Sequence, residues 1–127
     1  MSSEGLHEPR ELMSPLTIDR HRAIVSLREE LEAVDWYDQR VDATTDPELA
    51  AILAHNRDEE KEHAAMTLEW LRRHDPALDG HLRTYLFTSG SVLDIESAAE
   101  HDGGGAEDRT DGSLGLGSLR AQAASVQ

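Results

Sequence analysis

The sequence predicts an all-α fold in which two long helices form an antiparallel hairpin, a short third helix follows, and dimerisation completes a four-helix bundle. Three observations support this. Two long stretches, one on each side of Pro47, contain no internal glycine or proline. Each stretch repeats apolar residues at helical spacing. The segment that joins them, Thr44 to Pro47, is short enough to make the two helices antiparallel neighbours.

The first helix is predicted to begin at Ser14-Pro15, because serine is a preferred N-cap and proline suits the first helical turn. The run that follows is rich in Leu, Glu, Arg and Ala. A helix of about 28 residues, or about 42 Å, is expected. Residues 1–13 are predicted to be an N-terminal arm in which Leu12 and Met13 contact the body.

The second helix is predicted to start at Pro47, after the N-cap Asp46, and to end near His74 because Asp75-Pro76 follows. A third, shorter amphipathic helix is expected from Leu78 to Thr88 and should pack against a neighbour. Residues 14–88 therefore make up the predicted helical domain.

The chain beyond residue 88 has a different composition and holds seven of the nine glycines. Residues 89–111 are predicted to be a flexible acidic linker in which Asp94 to Asp102 could extend a helix, because such a composition buries little apolar surface. Residues 112–120 follow and contain three leucines among small residues. They are either a docking peptide that binds in extended form or a low-complexity stretch, and 121–127 are predicted to be a disordered tail. The docking residues would be Ser113, Leu114, Gly115, Leu116, Gly117, Ser118, Leu119 and Arg120.

Charge and composition exclude several classes of function. Twenty-six acidic residues against twelve Lys and Arg leave a net charge of -14, which argues against nucleic acid or an anionic membrane as partner and favours cations. The absence of cysteine excludes disulfides and thiolate sites. Met1 to Arg10 lacks the apolar run of a signal peptide, and no stretch has 18 consecutive apolar residues, so a cytoplasmic location is expected.

Carboxylates and one histidine interrupt the apolar stripes of both long helices. Glu60 and His63 are three residues apart, so they lie on one helix face and could bind one metal ion. A carboxylate in an apolar seam is costly unless it is paired or bound to a metal. On the first helix the stripe is Ala23, Leu27, Glu30, Val34, Tyr37 and Val41. On the second it is Leu49, Leu53 or Ile52, Asn56, Glu60, His63, Thr67 and Trp70.

Two helices cannot close a hydrophobic core, so the hairpin is expected to pair about a two-fold axis. The pair would bring together two copies each of Glu30, Glu60 and His63, which is the ligand pattern of ferritin-like di-iron carboxylate bundles. Mixed oxygen and imidazole ligands favour iron, although manganese or zinc would also fit. The alternative is that the two glutamates are solvated or paired with Arg28, Arg57 or Lys61.

Three segments together resemble the encapsulated ferritins, which are ferroxidase cargo proteins of encapsulin nanocompartments. These segments are Leu27 to Tyr37, His55 to Trp70 and His81 to Thr88, and the Gly112 to Arg120 segment resembles the peptide that targets cargo to the shell. The resemblance implies a di-iron site formed by Glu30, Glu60 and His63 of two subunits. Tyr37 would be a further catalytic residue close to the centre, and Trp36 would lie close by. For Trp36 the alternative is an ordinary core aromatic.

Further residues have implied roles in metal traffic. Glu29 and Glu32 would line the route by which Fe(II) enters, and His55, Glu59 and Glu62 would form an outer site for calcium or another divalent ion. The alternative for both groups is a solvated acidic face. Lys61 departs from the apolar residue expected in the motif, but it faces away from the ligand stripe.

The implied activity is oxidation of Fe(II) to Fe(III) by dioxygen, with the product stored inside the encapsulin shell. The implied assembly is a dimer and then a ring decamer, with the third helix supplying ring contacts. Two other functions remain open from the residues alone. One is a manganese or peroxide-consuming enzyme on the same bundle, and the other is a helical cargo adaptor or metal buffer that binds ions without redox change.

Overall fold

The computed structural model describes residues 5–106, with side chains through His101. All regular secondary structure within these residues is helical. Four α-helices follow the 3₁₀ turn at Arg10–Leu12: α1 Pro15–Ala43, α2 Pro47–Arg73, α3 Pro76–Tyr85 and α4 Val92–Ala106. The all-α prediction and the two-helix hairpin are confirmed. No helix within residues 5–106 is both long enough and apolar enough to cross a bilayer.

The two long helices begin where their capping residues predict. The Ser14 hydroxyl accepts a hydrogen bond from the Thr17 N–H at 3.1 Å. The Asp46 carboxylate accepts from the N–H groups of Glu48 and Leu49 at 2.9 and 3.2 Å. Each cap satisfies backbone donors that have no partner within the helix, and a proline follows each cap at the first helical position.

Two polar links between α1 and α2 set the register of the hairpin. Near the open end, Arg20 Nε donates to the carbonyl oxygen of His74 at 2.7 Å. Nearer the turn, Arg57 Nη1 donates to Asp38 Oδ1 at 3.0 Å. These pairs place the middle of α1, around Glu30, at the level of the middle of α2.

The apolar core of the hairpin is thin. Among the described side chains, the buried apolar ones are Ile18, Ala64 and Leu71, and none of the large residues is fully enclosed. Several large apolar side chains on both helices remain exposed. A core of this size does not stabilise a two-helix hairpin alone, which agrees with the expectation that the hairpin pairs with another copy.

The N-terminal arm packs against the start of α1. The backbone of Gly5 lies directly on the His21 ring, so a Cβ at this position would overlap the imidazole. Met13 borders a groove on α1 together with Ile18, whereas Leu12 is exposed. The predicted contact with the body is therefore made by Met13 and the Gly5 backbone.

The described chain divides between Asp75 and Pro76 into two compact units, and α3 and α4 belong to the second. Their connection contains Phe87 and Gly90, both with positive φ (63° and 91°). Ser91 caps α4, because its hydroxyl accepts from the N–H of Leu93 at 3.2 Å. Helix α3 ends at Tyr85 rather than Thr88.

Helix α4 occupies most of the predicted flexible linker, residues 89–111. The helix allowed there, Asp94 to Asp102, is present and longer, running from Val92 to Ala106. The Ser91 cap and the apolar residues of the first turns account for its early start. Residues 107–111, the docking peptide at 112–120 and the tail at 121–127 lie outside the described residues.

Candidate metal centre

The predicted ligand stripe of α1 is half-buried along its whole length, at Ala23, Leu27, Glu30, Val34, Tyr37 and Val41. Glu30 is the acidic member of this stripe. Its Oε1 atom is buried and has no hydrogen-bond partner. A buried carboxylate oxygen without a donor is unfavourable, so it indicates a group that the protein chain itself does not supply, such as a cation.

Glu60 and His63 lie together on α2, as their spacing predicts. Glu60 Oε1 is 3.8 Å from His63 Nδ1, and the two side chains are 30% and 50% exposed. The pair is therefore presented at the surface of the hairpin and is still accessible. Carboxylate oxygen and imidazole nitrogen are suitable ligands for iron, manganese or zinc.

Two of the cations that could have neutralised the stripe glutamates bind other acids instead. Arg57 contacts Asp38 Oδ1 at 3.0 Å and Asp58 Oδ1 at 3.1 Å. These hydrogen bonds, the one to Asp58 most strongly, raise the pKa of Arg57. Lys61 Nζ also lies 3.9 Å from Asp58 Oδ1. Pairing of Glu30 or Glu60 with Arg57 or Lys61 is thus not the arrangement in the structure.

An open cleft of about 550 Å³ is lined by residues of both α1 and α2, and Glu30 is one of them. The charged groups of Asp19, Arg22 and Glu30 line it, together with hydroxyl-bearing, small and apolar side chains. The Thr67 hydroxyl donates to the His63 carbonyl at 3.0 Å, which ties the cleft to the ligand-bearing turn of α2. The main lining residues are Ala23, Ser26, Glu30, Met66, Thr67 and Trp70.

One hairpin does not hold a complete metal site. Within the described residues, no group of three His, Asp or Glu side chains is close enough to bind one ion. A single chain offers Glu30 on α1 and the Glu60–His63 pair on α2.

The other residues assigned to the centre occupy varied environments. Tyr37 is half-buried, and the Arg40 guanidinium lies over its ring at 5.3 Å from the centroid. Trp36 is 51% exposed, so it is not a core aromatic of the single hairpin. Glu29 and Glu32 are both exposed.

The residues assigned to an outer metal site form only a partial cluster. His55 Nε2 is 3.3 Å from Glu59 Oε2, and both side chains are mostly exposed. Glu62 is exposed on the same helix. The roles of these residues, like those of Glu29 and Glu32, stay predictions.

Two contacts close to the ligand stripes were not predicted from the sequence. The Arg57–Asp38 link joins the helices one turn before Glu60, and Trp70 stacks on His74 with ring centroids 3.9 Å apart. Arg57 and Asp38 carry opposite charges, but they are far apart in the sequence. Their contact can be predicted only when it is known which residues of α1 lie beside which residues of α2. The i, i+4 spacing of Trp70 and His74 is a signal for the second contact, because it places the two rings on one face at the end of α2.

Comparisons with known proteins agree with this architecture. The EncFtn-like family model matches residues 5–89. The chain is 65% identical to the encapsulated ferritin-like protein of Rhodospirillum rubrum, over 97% of this chain and 93% of that protein. It is 52% identical to the ferritin-like protein of Thermotoga maritima, over 92% and 99% of the two chains.

A more distant relative and a solved structure extend the agreement. The encapsulin nanocompartment cargo protein EncC of Myxococcus xanthus is 34% identical over 76% of this chain and 80% of its own. A protein of Nitrosomonas europaea with a crystal structure is 66% identical, with a TM-score of 0.67. The match covers 69% of this chain and 97% of that chain.

Proposed function

Because the chain belongs to the EncFtn-like family of encapsulated ferritin-like proteins, we propose that it is a ferroxidase whose di-iron site forms between two subunits. Its substrates are Fe(II) and dioxygen. The observation that carries this proposal is the buried, unpartnered Oε1 of Glu30 on a hairpin that has no three-ligand group of its own among its described residues.

Two copies of the hairpin supply a balanced set of ligands. Two Glu30, two Glu60 and two His63 provide four carboxylates for two divalent ions, so the charges of ligands and metal cancel. Each helix contributes the ligand type expected of di-iron carboxylate bundles. In the single chain His63 is half-exposed, which supports a ligand that is covered by the second copy.

The surface around His63 has the character of a subunit interface. Leu49 lies two heptads before His63, and Ile52 lies two heptads before Met66, so these four residues form one stripe on α2. Leu49, Ile52 and Met66 are exposed large apolar side chains. An apolar stripe that also carries a metal ligand suits an isologous contact with a second copy.

The chemistry follows from the donor set. Two Fe(II) ions each lose one electron, and one dioxygen takes up both electrons and two protons to give hydrogen peroxide. Carboxylates stabilise the Fe(III) product because they are hard anionic ligands. Glu30 and Glu60 would hold the ions, and His63 would complete the coordination as a neutral base. Tyr37, a heptad beyond Glu30, would lie beside the centre. Carboxylates bind with one or two oxygens, which lets ions enter and leave.

Ion traffic would use the exposed acids near the centre. Glu29 and Glu32 would attract Fe(II) toward the interface, and His55, Glu59 and Glu62 would hold a further divalent ion such as calcium. The net charge of -14 supports attraction of cations by the whole chain. Their roles rest on the family resemblance.

The chain would act inside an encapsulin shell. The segment Ser113 to Arg120 would dock on the shell interior, and the dimers would assemble further into a ring decamer. The cargo protein of M. xanthus is named for such a compartment. Storage of the oxidised iron would then fall to the shell.

The test is anaerobic loading of the purified protein with Fe(II), then exposure to air, with ferric absorbance and native mass followed together. Oxidation should occur only in an iron-loaded oligomer and should weaken on dilution to the monomer. Glu30→Ala should abolish rapid oxidation. The matched control is Glu48→Gln, which removes an exposed acid at the start of α2 and should leave the rate unchanged.

Two outcomes would contradict the proposal. An unchanged rate in Glu30→Ala would place the chemistry elsewhere. Stoichiometric iron binding without accelerated oxygen uptake would instead identify the protein as a metal-binding cargo adaptor.

A further inference from the structure

Thr67 carries a hydroxyl group beside the candidate metal centre that the proposed chemistry does not use. It lies four residues after His63 on the ligand stripe of α2 and is half-buried, as Glu30 is on α1. Both side chains line the same cleft. The two helices thus place a neutral hydrogen-bond donor and a ligand carboxylate around one open space.

The alignment of the hairpin brings Thr67 close to the level of Glu30. The two polar links between the helices join position 20 to position 74 and position 38 to position 57. Position 30 is ten residues after 20 and eight before 38, so the antiparallel course of α2 places it level with positions 64 and 65. Glu30 is therefore level with the turn of α2 that begins at His63 and ends at Thr67.

The Glu30 carboxylate needs a hydrogen-bond donor as well as a cation. Its buried Oε1 atom has no partner, and carboxylates that bind metals are themselves hydrogen-bonded to nearby groups. The second copy in the proposed centre would cover the cleft and exclude water from it. An unpaired polar group costs most where water is excluded, so a donor from the protein becomes important there.

The other donors around the cleft are less well placed to serve Glu30. Arg22 already forms an ion pair at 2.7 Å, and Ser26 is exposed. Trp70 is three residues beyond Thr67, about 4.5 Å farther from the level of Glu30 along α2. Among the residues that line the cleft, Thr67 combines a half-buried hydroxyl with a position near the level of the carboxylate.

The Thr67 hydroxyl can turn to Glu30 at little cost. It donates to the His63 carbonyl at 3.0 Å, but this carbonyl also accepts from the Thr67 backbone N–H, which is the ordinary bond of an α-helix. The carbonyl therefore keeps a partner when the hydroxyl leaves. Threonine in a helix occupies two χ1 rotamers, so the change needs rotation about a single bond.

We propose that Thr67 is a positioning residue of the metal centre, and that its hydroxyl donates a hydrogen bond to the Glu30 carboxylate of the same chain when that carboxylate holds a metal ion. The bond would fix the orientation of the carboxylate and would join α1 to α2 at the level of the ion. The inference rests on the proposed metal centre and adds a residue that touches a ligand rather than the metal.

The first test measures zinc affinity by calorimetry on the intact, metal-free protein, because Zn(II) binds carboxylate and imidazole without redox change. The sites followed are those that disappear in Glu30→Ala. Thr67→Val keeps the shape of threonine without its hydroxyl and should weaken this binding about 10–100-fold, the loss typical of a residue that supports a ligand. Thr67→Ser keeps the hydroxyl and should restore most of the affinity. The matched control, Ser26→Ala, removes another hydroxyl of the cleft and should leave the affinity unchanged.

The second test locates the hydrogen bond in a crystal structure of the zinc-loaded protein. Thr67 Oγ1 should lie within about 3.0 Å of a Glu30 carboxylate oxygen. Urea unfolding with a chelator present supplies a further control. Thr67→Val and Thr67→Ser should unfold at similar urea concentrations, because the bond to the His63 carbonyl is an additional one.

The outcomes separate this inference from the proposed function. Equal zinc affinity in Thr67→Val and the wild type overturns the inference even if iron oxidation is normal. A zinc-loaded structure in which Thr67 Oγ1 still lies on the His63 carbonyl overturns it as well. A Thr67–Glu30 bond in that structure, together with a protein that does not oxidise Fe(II), would support the positioning role and contradict the ferroxidase.

Discussion

Replacing Glu30 by methionine should stabilise the metal-free protein while it removes the response to iron. Methionine has nearly the same length and flexibility as glutamate but carries no charge. The buried Oε1 of Glu30 has no hydrogen-bond partner, and an unpaired buried polar group costs about 1–3 kcal/mol. Because Glu30 is only half-buried as a residue, the lower part of that range applies, about 1–1.5 kcal/mol.

The assay is urea unfolding followed by circular dichroism, with a chelator present and the protein concentration fixed, since dimerisation couples to stability. Glu30→Met should raise the free energy of unfolding in urea, and in a thermal melt of the same samples the melting temperature should rise by about 4–8 °C for each kcal/mol. The matched control, Glu29→Met, changes an exposed neighbour and should stay within about 0.5 kcal/mol of the wild type.

Adding Fe(II) without oxygen should make the wild type more stable than the Glu30→Met variant. At about 100 times the dissociation constant, iron binding stabilises the wild type by about 2.7 kcal/mol, whereas the Glu30→Met protein should gain little. If the metal-free variant is less stable than the wild type, then the Glu30 oxygen is satisfied in solution and the argument for a missing cation is wrong.

Three further outcomes follow from the contacts of the hairpin. Leu71→Ala should destabilise the protein by about 2–4 kcal/mol in urea unfolding, because Leu71 is one of the few buried side chains; exposed Leu31→Ala should cost far less. Asp46→Ala should cost about 1–2 kcal/mol in the same assay, because the cap accepts two backbone hydrogen bonds. Hydrogen bonds from the guanidinium groups of Arg72 and Arg73 lower the pKa of Glu69 from 4.5 to about 2. Its contribution to stability is therefore present above pH 4.5 and is lost as the pH falls toward 2. The difference in unfolding midpoint between wild type and Glu69→Gln should shrink over that window, and a difference that persists at about pH 2 would contradict the assignment.

Local signals in the sequence predicted most of the hairpin. Ser14-Pro15 and Asp46-Pro47 each combine a capping side chain with a proline at the first helical position, and both helices start there. Capping depends on residues next to one another in the chain, so it can be read without a structure. The pairing of Glu60 with His63 follows for the same reason, because helical periodicity alone places them together.

The extent of α4 was harder to predict. Three consecutive glycines, residues 103–105, suggest a linker because glycine lowers helix propensity. The structure continues the helix through them to Ala106. The helix propensity of single residues is a weak predictor of where a helix ends once an N-cap has started it.

By itself, then, the sequence determined the helices, the stripes and the candidate ligands, because each depends on a few residues close together along the chain. Only the tertiary structure decided which charges pair. Arg57 binds Asp38 and Asp58 rather than a stripe glutamate, and the Glu30 oxygen is left without a donor. These outcomes depend on how α1 and α2 are rotated and aligned against each other, which is set by the packing of many residues far apart in the sequence. The same packing decided that Trp36 is exposed while a cleft opens beside Ala23 and Trp70.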